Sequence, residues 1–425
     1  MGTSRPAEGH CLFRRQLDRG SLSFFAIFAI AFDLRVELPP IVSRKGFQLT
    51  IYLDANATVC QLPEVARAVH ATAALGPLNA SSAHSRGDAA RLILSEARET
   101  VCDALGGDDP ENIILVSGGT EANNIIINGL ARLGVPMIAT AVEHASVVEP
   151  VLAYGGTLIG VNSNGVLCLA ALRQALNEAV GAQPVLVCVQ AANSETGVIQ
   201  PLVEIAELCA EYGGKVHLHV DAAQAFGRMP LALAGVDSIA VSGHKFHAPL
   251  GSGFIYISDR LADVLPRTIL GGGQERGFRS GTQNVPAIAG LDAAVRIRFG
   301  RFEEIVSQLT RLRDSFERSL LDAVPDVRII ASQSARLPNT SNVMFRDVDA
   351  LALMANLDGA GVICSNGSAC SSMKPSPSRV LREMGLTENE AFSCLRFSFS
   401  VLNTLAEIEL AVTRIAEAVR KLRAL

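Results

Sequence analysis

Nine cysteines are present, yet no two form a CxxC pair and none shows zinc-like spacing. An odd, scattered set of this kind argues against a disulfide framework and for a reducing compartment. Charge is also sparse: charged residues make up 19%, the formal charge is -5, and no basic tract extends beyond single turns. That argues against nucleic acid as the main partner. Tryptophan is absent, and nothing follows from it. The apolar run at 21–32 is too short to span a bilayer comfortably. What is present is ample core: 425 residues, 49% apolar, suggest two or three domains.

Between Pro63 and Arg298, helix-like and strand-like segments alternate. Strands are expected at 113–116, 137–141, 185–190, 216–220, 238–241 and 254–257. Most are apolar throughout, as in a parallel sheet covered on both faces. Beyond Phe302, helices at 305–323, 349–360 and 404–422 and short strands near 327–330 and 341–346 predict a smaller α+β region.

Ser242-Gly243-His244-Lys245 follows a buried-strand pattern, and a lysine there is costly without a task. A surface turn is one reading. The other is a Schiff base with an aldehyde cofactor in a site that lowers the amine pKa; Ser242 and His244 suit its phosphate, which suggests pyridoxal phosphate. Upstream, Asp221 closes the strand 216–220, placed to hold a pyridine nitrogen protonated, and Gln224 suits the ring's phenolic oxygen. His217 and His219 share a strand face, but no third metal ligand has convincing spacing, so they read as partly buried strand residues. Further upstream, Ser117-Gly118-Gly119-Thr120 leads from a strand into a helix, where backbone N–H groups receive an anion.

With these residues in place, the chain resembles the cysteine desulfurases (NifS/IscS-like) of the class V, fold-type I pyridoxal phosphate enzymes. The match runs from about Ile51 to the C-terminus. It includes Tyr52-Leu53-Asp54-Ala55-Asn56-Ala57-Thr58, Asn79-Ala80-Ser81-Ser82-Ala83-His84, Val142-Glu143-His144, Glu195-Thr196-Gly197-Val198-Ile199-Gln200-Pro201, Gly271-Gly272-Gly273-Gln274-Glu275-Arg276, Arg279-Ser280-Gly281-Thr282 and Gly367-Ser368-Ala369-Cys370.

The resemblance implies an α/β fold with a large cofactor-binding domain, 63–302, built on a mostly parallel sheet. A small α+β domain, 51–62 with 303–425, carries the cysteine loop. It implies pyridoxal 5'-phosphate on Lys245, ring contacts from Asp221, Gln224, Asn193, Ser194 and a covering His144, and phosphate contacts from Gly119, Thr120, Ser242 and His244. Thr282 reaches the phosphate of the neighbouring subunit of a homodimer. Arg396, a strand arginine that reads either as salt-bridged or as a carboxylate clamp, becomes the clamp for L-cysteine. Cys370 lies in a Ser/Gly/Pro-rich loop whose composition suits exposure. By resemblance it takes sulfur as a persulfide, leaving L-alanine, and passes it to a sulfur-acceptor or iron–sulfur scaffold protein; the loop's length is that of the branch whose cysteine swings outward. Cys364 and Cys394 read as core cysteines. Where the family shows Asn-Asn-Glu, this chain has Asn193-Ser194-Glu195, which puts one cofactor contact in question. A selenocysteine lyase or aminotransferase is the alternative, and a non-catalytic scaffold is a third reading.

The first fifty residues stand apart. Arg14, Arg15 and Arg19 precede the apolar run, and Ala29-Ile30-Ala31 resembles a signal-peptidase site. The reading preferred over a secretory signal is an extension from a misassigned start, ahead of a cytoplasmic enzyme with no membrane partner.

Overall fold

The computed structural model describes residues 50–367 and 376–424. The expectations for the extension and for Cys370 lie outside the described residues.

The frame is a seven-stranded sheet. Its strands are β2 (Ile113–Val116), β3 (Met137–Thr140), β4 (Thr157–Ile159), β5 (Val185–Gln190), β6 (Val216–Asp221), β7 (Ser238–Ser242) and β8 (Gly253–Ile257). They lie in the order β2-β8-β7-β6-β5-β3-β4. The run β7-β6-β5-β3-β4 is parallel, and β8 is antiparallel to both its neighbours. Every residue of β2, β3, β5, β6 and β7 is buried, because helices cover both faces. This corrects the reading of His217 and His219 as partly buried: their relative exposures are 4% and 0%. The short β4, exposed at its start, was not expected; three residues at a sheet edge leave no apolar run to read.

Helices α1 (Pro63–Ala74), α2 (Ser85–Leu105) and α8 (Val285–Gly300) pack together against one face. On the other, α3 (Gly119–Ala131) and α4 (Ala145–Ala153) cover the sheet through Ile125, Ile126, Val147 and Val151.

A separate core joins β1 (Ile51–Tyr52), α9 (Phe302–Ala323), β9 (Val327–Ile329), β10 (Thr340–Phe345), α10 (Ala350–Gly359), β11 (Val362–Ile363), β12 (Cys394–Ser398) and α13 (Leu405–Arg423). Strands β12-β10-β9 form an antiparallel sheet, and β1 pairs in parallel with β11. Phe316, Phe345, Phe397 and Phe399 interlock in this core; each buried side chain of this size is worth about 1.5–3 kcal/mol. The last helix starts on a capping box of Thr404 and Glu407. Cys364 and Cys394 are buried, and burial pushes both thiols up to about 12. Among the described residues, no helix is long and apolar enough to cross a membrane.

Candidate active site

Most of the expected site residues that the structure describes gather near where the parallel strands end at their C-terminal edge, the side on which open α/β sheets bind ligands. Strand β7 closes on Ser242 and turns through Gly243–Lys245. Lys245 Nζ donates 2.7 Å hydrogen bonds to the carbonyls of Asn56 and Ala57, from the segment after β1. Burial, followed by the Arg396 and Arg228 charges, lowers its pKa from 10.5 to about 8, against the pull of Asp54 and Asp221. Its ammonium is therefore easily discharged, as an amine nucleophile or base requires.

Asp221 ends β6. Its Oδ1 accepts the Ala223 N–H at 2.9 Å and its Oδ2 the Asn123 amide at 2.9 Å. The same Asn123 nitrogen donates to Ser146 Oγ at 2.9 Å, and Ser146 Oγ lies 2.8 Å from His144 Nδ1. His144 caps α4 by accepting the Ser146 N–H at 3.1 Å. Desolvation lowers its pKa from the ordinary value, opposed by Asp221.

Beside this carboxylate the chain turns through Gly118 and Gly119 into α3. Gly118 has φ +156°, and a Cβ there would lie 3.3 Å from Ser242 Oγ. Gly253 must also be glycine: a Cβ would sit 2.5 Å from the Val241 carbonyl and 2.9 Å from Gly118 Cα. Thr120 is exposed in the first turn of α3. His244 Nδ1 is 3.0 Å from Thr58 Oγ1, and burial brings its pKa to about 4. A phosphate fits this cradle of free helix N–H groups and small hydroxyls. A pyridine nitrogen fits Asp221, and an aldehyde fits Lys245. The residues present thus suit pyridoxal phosphate, an observation of donor chemistry rather than of a bound group.

Several expected contacts have other occupations here. Gln224 donates to the Asn56 carbonyl at 3.0 Å and accepts from Arg228 at 2.6 Å. Asn193 Oδ1 accepts from the backbone of Glu195 and Thr196, both at 2.9 Å, and its amide donates to the Val142 carbonyl. It therefore shapes the turn that carries Ser194. The Ser194 carbonyl accepts from Asn56 at 3.0 Å and from Arg396 at 3.1 Å.

Arg396 also donates to Asp54 Oδ1 at 2.6 Å, while its buried Nε has no partner. Arg396 is thus a salt-bridged strand residue with its Nε left unpartnered. Thr282 is exposed, and among the described residues no hydrogen bond joins it to this cluster. On either side of the segment holding Cys370, a Cβ on Gly367 would meet Glu195 Oε2 at 2.6 Å, and Ser378 Oγ donates to the same oxygen at 2.5 Å.

Sequence reasoning missed Asn56, Asn123, Ser146 and Glu143 as site builders. Buried Glu143, adjoining His144, accepts from Thr140 Oγ1 at 2.5 Å and the Gln190 N–H at 2.8 Å, leaving Oε2 without a partner. Burial raises its pKa from 4.5 to about 8. The one available signal was period: His219 and Asp221, two apart on a strand, share a face.

The sheet order, the lysine turn and the carboxylate strand define a class-V aminotransferase fold; residues 51–410 match the family described as aminotransferase class-V. Within it, the chain belongs to the cysteine desulfurase family, NifS/IscS-like, by likeness in both sequence and structure. A cysteine desulfurase of Nostoc sp. is 38% identical over 388 residues, spanning 88% of this chain and 94% of the relative. The X-ray structure of a NifS-like protein from Rickettsia africae superposes with a TM-score of 0.79 at 32% identity, covering 88% of this chain and all of that one. The protein SspA, solved in complex with cysteine, has a TM-score of 0.71 at 27% identity, over 84% of this chain and 100% of that chain.

Proposed function

We propose that the chain is a pyridoxal phosphate-dependent cysteine desulfurase. It moves sulfur from L-cysteine to Cys370 and releases L-alanine. The observation that carries the reading is Lys245, half-buried just past a strand end, its Nζ held by the Asn56 and Ala57 carbonyls and its pKa lowered to about 8. The gathering of family motifs around it, and the cysteine bound by a structural relative, support the substrate.

Gly119, Thr120, Ser242 and His244 would hold the phosphate, Asp221 the ring nitrogen, and Lys245 the aldehyde carbon. Bound there, the cofactor supplies a sink for electrons released at the substrate Cα. Arg396 takes the substrate carboxylate. The Lys245 amine accepts the Cα proton as general base. His144, held at Nδ1 by Ser146, presents Nε2 for ring contact. The Cys370 thiol and L-cysteine balance as a Cys370 persulfide and L-alanine. The sulfur then passes to an acceptor or iron–sulfur scaffold protein. Thr282 acts across a homodimer, and the setting is the cytoplasm.

The test is the purified protein incubated with L-cysteine, with L-alanine and protein-bound persulfide measured together. Both are expected, and both vanish in Lys245→Ala. Alanine without protein-bound sulfur moves the reading to a lyase; unchanged turnover in the variant removes Lys245 from the chemistry.

A further inference from the structure

Beneath the site lies a buried polar chain that the reaction does not use. Ser238, His219 and Asn123 are each 0% exposed. Buried polar groups of this kind cost stability unless each donor meets an acceptor. Here the direction of every bond follows from elementary chemistry. A carboxylate oxygen only accepts, so the Asn123 atom 2.9 Å from Asp221 Oδ2 is its nitrogen. The second N–H of that nitrogen goes to Ser146 Oγ. The Asn123 oxygen therefore faces His219 Nε2 at 3.0 Å, and Nε2 carries the imidazole proton. His219 Nδ1 accepts from Ser238 Oγ at 2.8 Å. On the other branch, His144 Nδ1 already accepts a backbone N–H, so Ser146 donates its hydroxyl proton to it and the His144 proton sits on Nε2.

We propose that His219 and Asn123 are positioning residues: His219 orients the Asn123 amide, and that single amide sets both the Asp221 carboxylate and, through Ser146, the His144 imidazole. This rests on the reading of Asp221 and His144 as neighbours of the cofactor. Neither positioning residue touches the reacting atoms. Without the His219 donor, the buried Asn123 oxygen has no partner, and the amide is held only through its nitrogen.

The test compares His219→Gln, His219→Leu and Asn123→Leu in the full chain. A glutamine amide nitrogen replaces the Nε2 donor; leucine fills the space without it. His219→Gln should stay within about twofold of wild type in pyridoxal phosphate dissociation and kcat, as expected when one neutral bond is replaced by another. His219→Leu should lower kcat and retention by about three- to tenfold, and Asn123→Leu should lower retention by roughly ten- to a hundredfold, since it removes a bond to a charged group. KM for L-cysteine should hold in both leucine variants, because Arg396 lies outside the relay. Gln and Leu equally impaired, or equally unimpaired, overturns the proposal: the Nε2 donor would then not be what counts.

NMR of the cofactor-free chain with isotope-labelled histidine, assigned with His219→Gln, should place the His219 proton on Nε2. A proton on Nδ1 overturns the relay whether or not a leucine variant folds. Failure of the wild type to bind pyridoxal phosphate instead removes the functional reading and leaves the tautomer to decide the relay.

Discussion

Arg396 Nη2 and Asp54 Oδ1 stand 2.6 Å apart, joining β12 to the segment after β1. Arg396 is 3% exposed, so its charge is compensated by a carboxylate before any substrate arrives. Breaking a buried pair by removing one partner costs about 3–5 kcal/mol. Asp54→Asn should therefore lose stability of that order.

A ligand carboxylate on Arg396 would restore the missing partner. L-alanine should accordingly raise the melting temperature of Asp54→Asn by more than it raises that of wild type, by binding linkage. Equal shifts would place the carboxylate elsewhere.

Cys370→Ser should keep the cofactor, because the residues that would hold it belong to the strand ends and to α3. Protein-bound sulfur should vanish. Mass spectrometry of wild type after L-cysteine should place one extra sulfur on Cys370. Finding it on Cys364 or Cys394 would sink the assignment; both thiols are buried and pushed up to about 12, which disfavours the thiolate.

Much of this site was legible because a parallel sheet writes itself plainly. Burial of both faces of β5 and β7 leaves largely apolar runs, and Lys245, in the turn just past β7, stands out against them; Asp221 was legible as the carboxylate closing β6. The relay did not stand out. Asn123 meets Asp221 across 98 residues and His219 across 96, and only the fold brings such partners together. Gln224 and Asn193 illustrate the converse: their side-chain types suited a ligand, yet Arg228 and the 195–196 backbone claim their acceptors.

Glu143→Gln should flatten the pH dependence of stability. The folded pKa, about 8, lies above the ordinary 4.5. The folded state therefore binds more protons than the unfolded one between these values, and stability falls as pH rises from about 4.5 to about 8. Glutamine keeps the Oε1 acceptor for Thr140 and Gln190 and has no proton to lose. In urea unfolding at a series of pH values, the variant should gain a few kcal/mol on wild type across that window. Parallel curves would show that Glu143 titrates normally.

Ser194→Asn should be tolerated, with a modest gain in cofactor retention. The two bonds that tie residue 194 into the site, from Asn56 and from Arg396, both use its carbonyl. The side chain is therefore free to change without moving Arg396. Asparagine is the residue usual in the family, and its carboxamide reaches farther than a hydroxyl. One added neutral hydrogen bond is worth about 0.5–1.5 kcal/mol, a few-fold to about tenfold in an equilibrium. Cofactor dissociation and alanine formation in the two proteins, compared side by side, measure it. Loss of activity would show a pocket rebuilt around serine. The substrate would then differ from plain L-cysteine, and the lyase reading would take precedence.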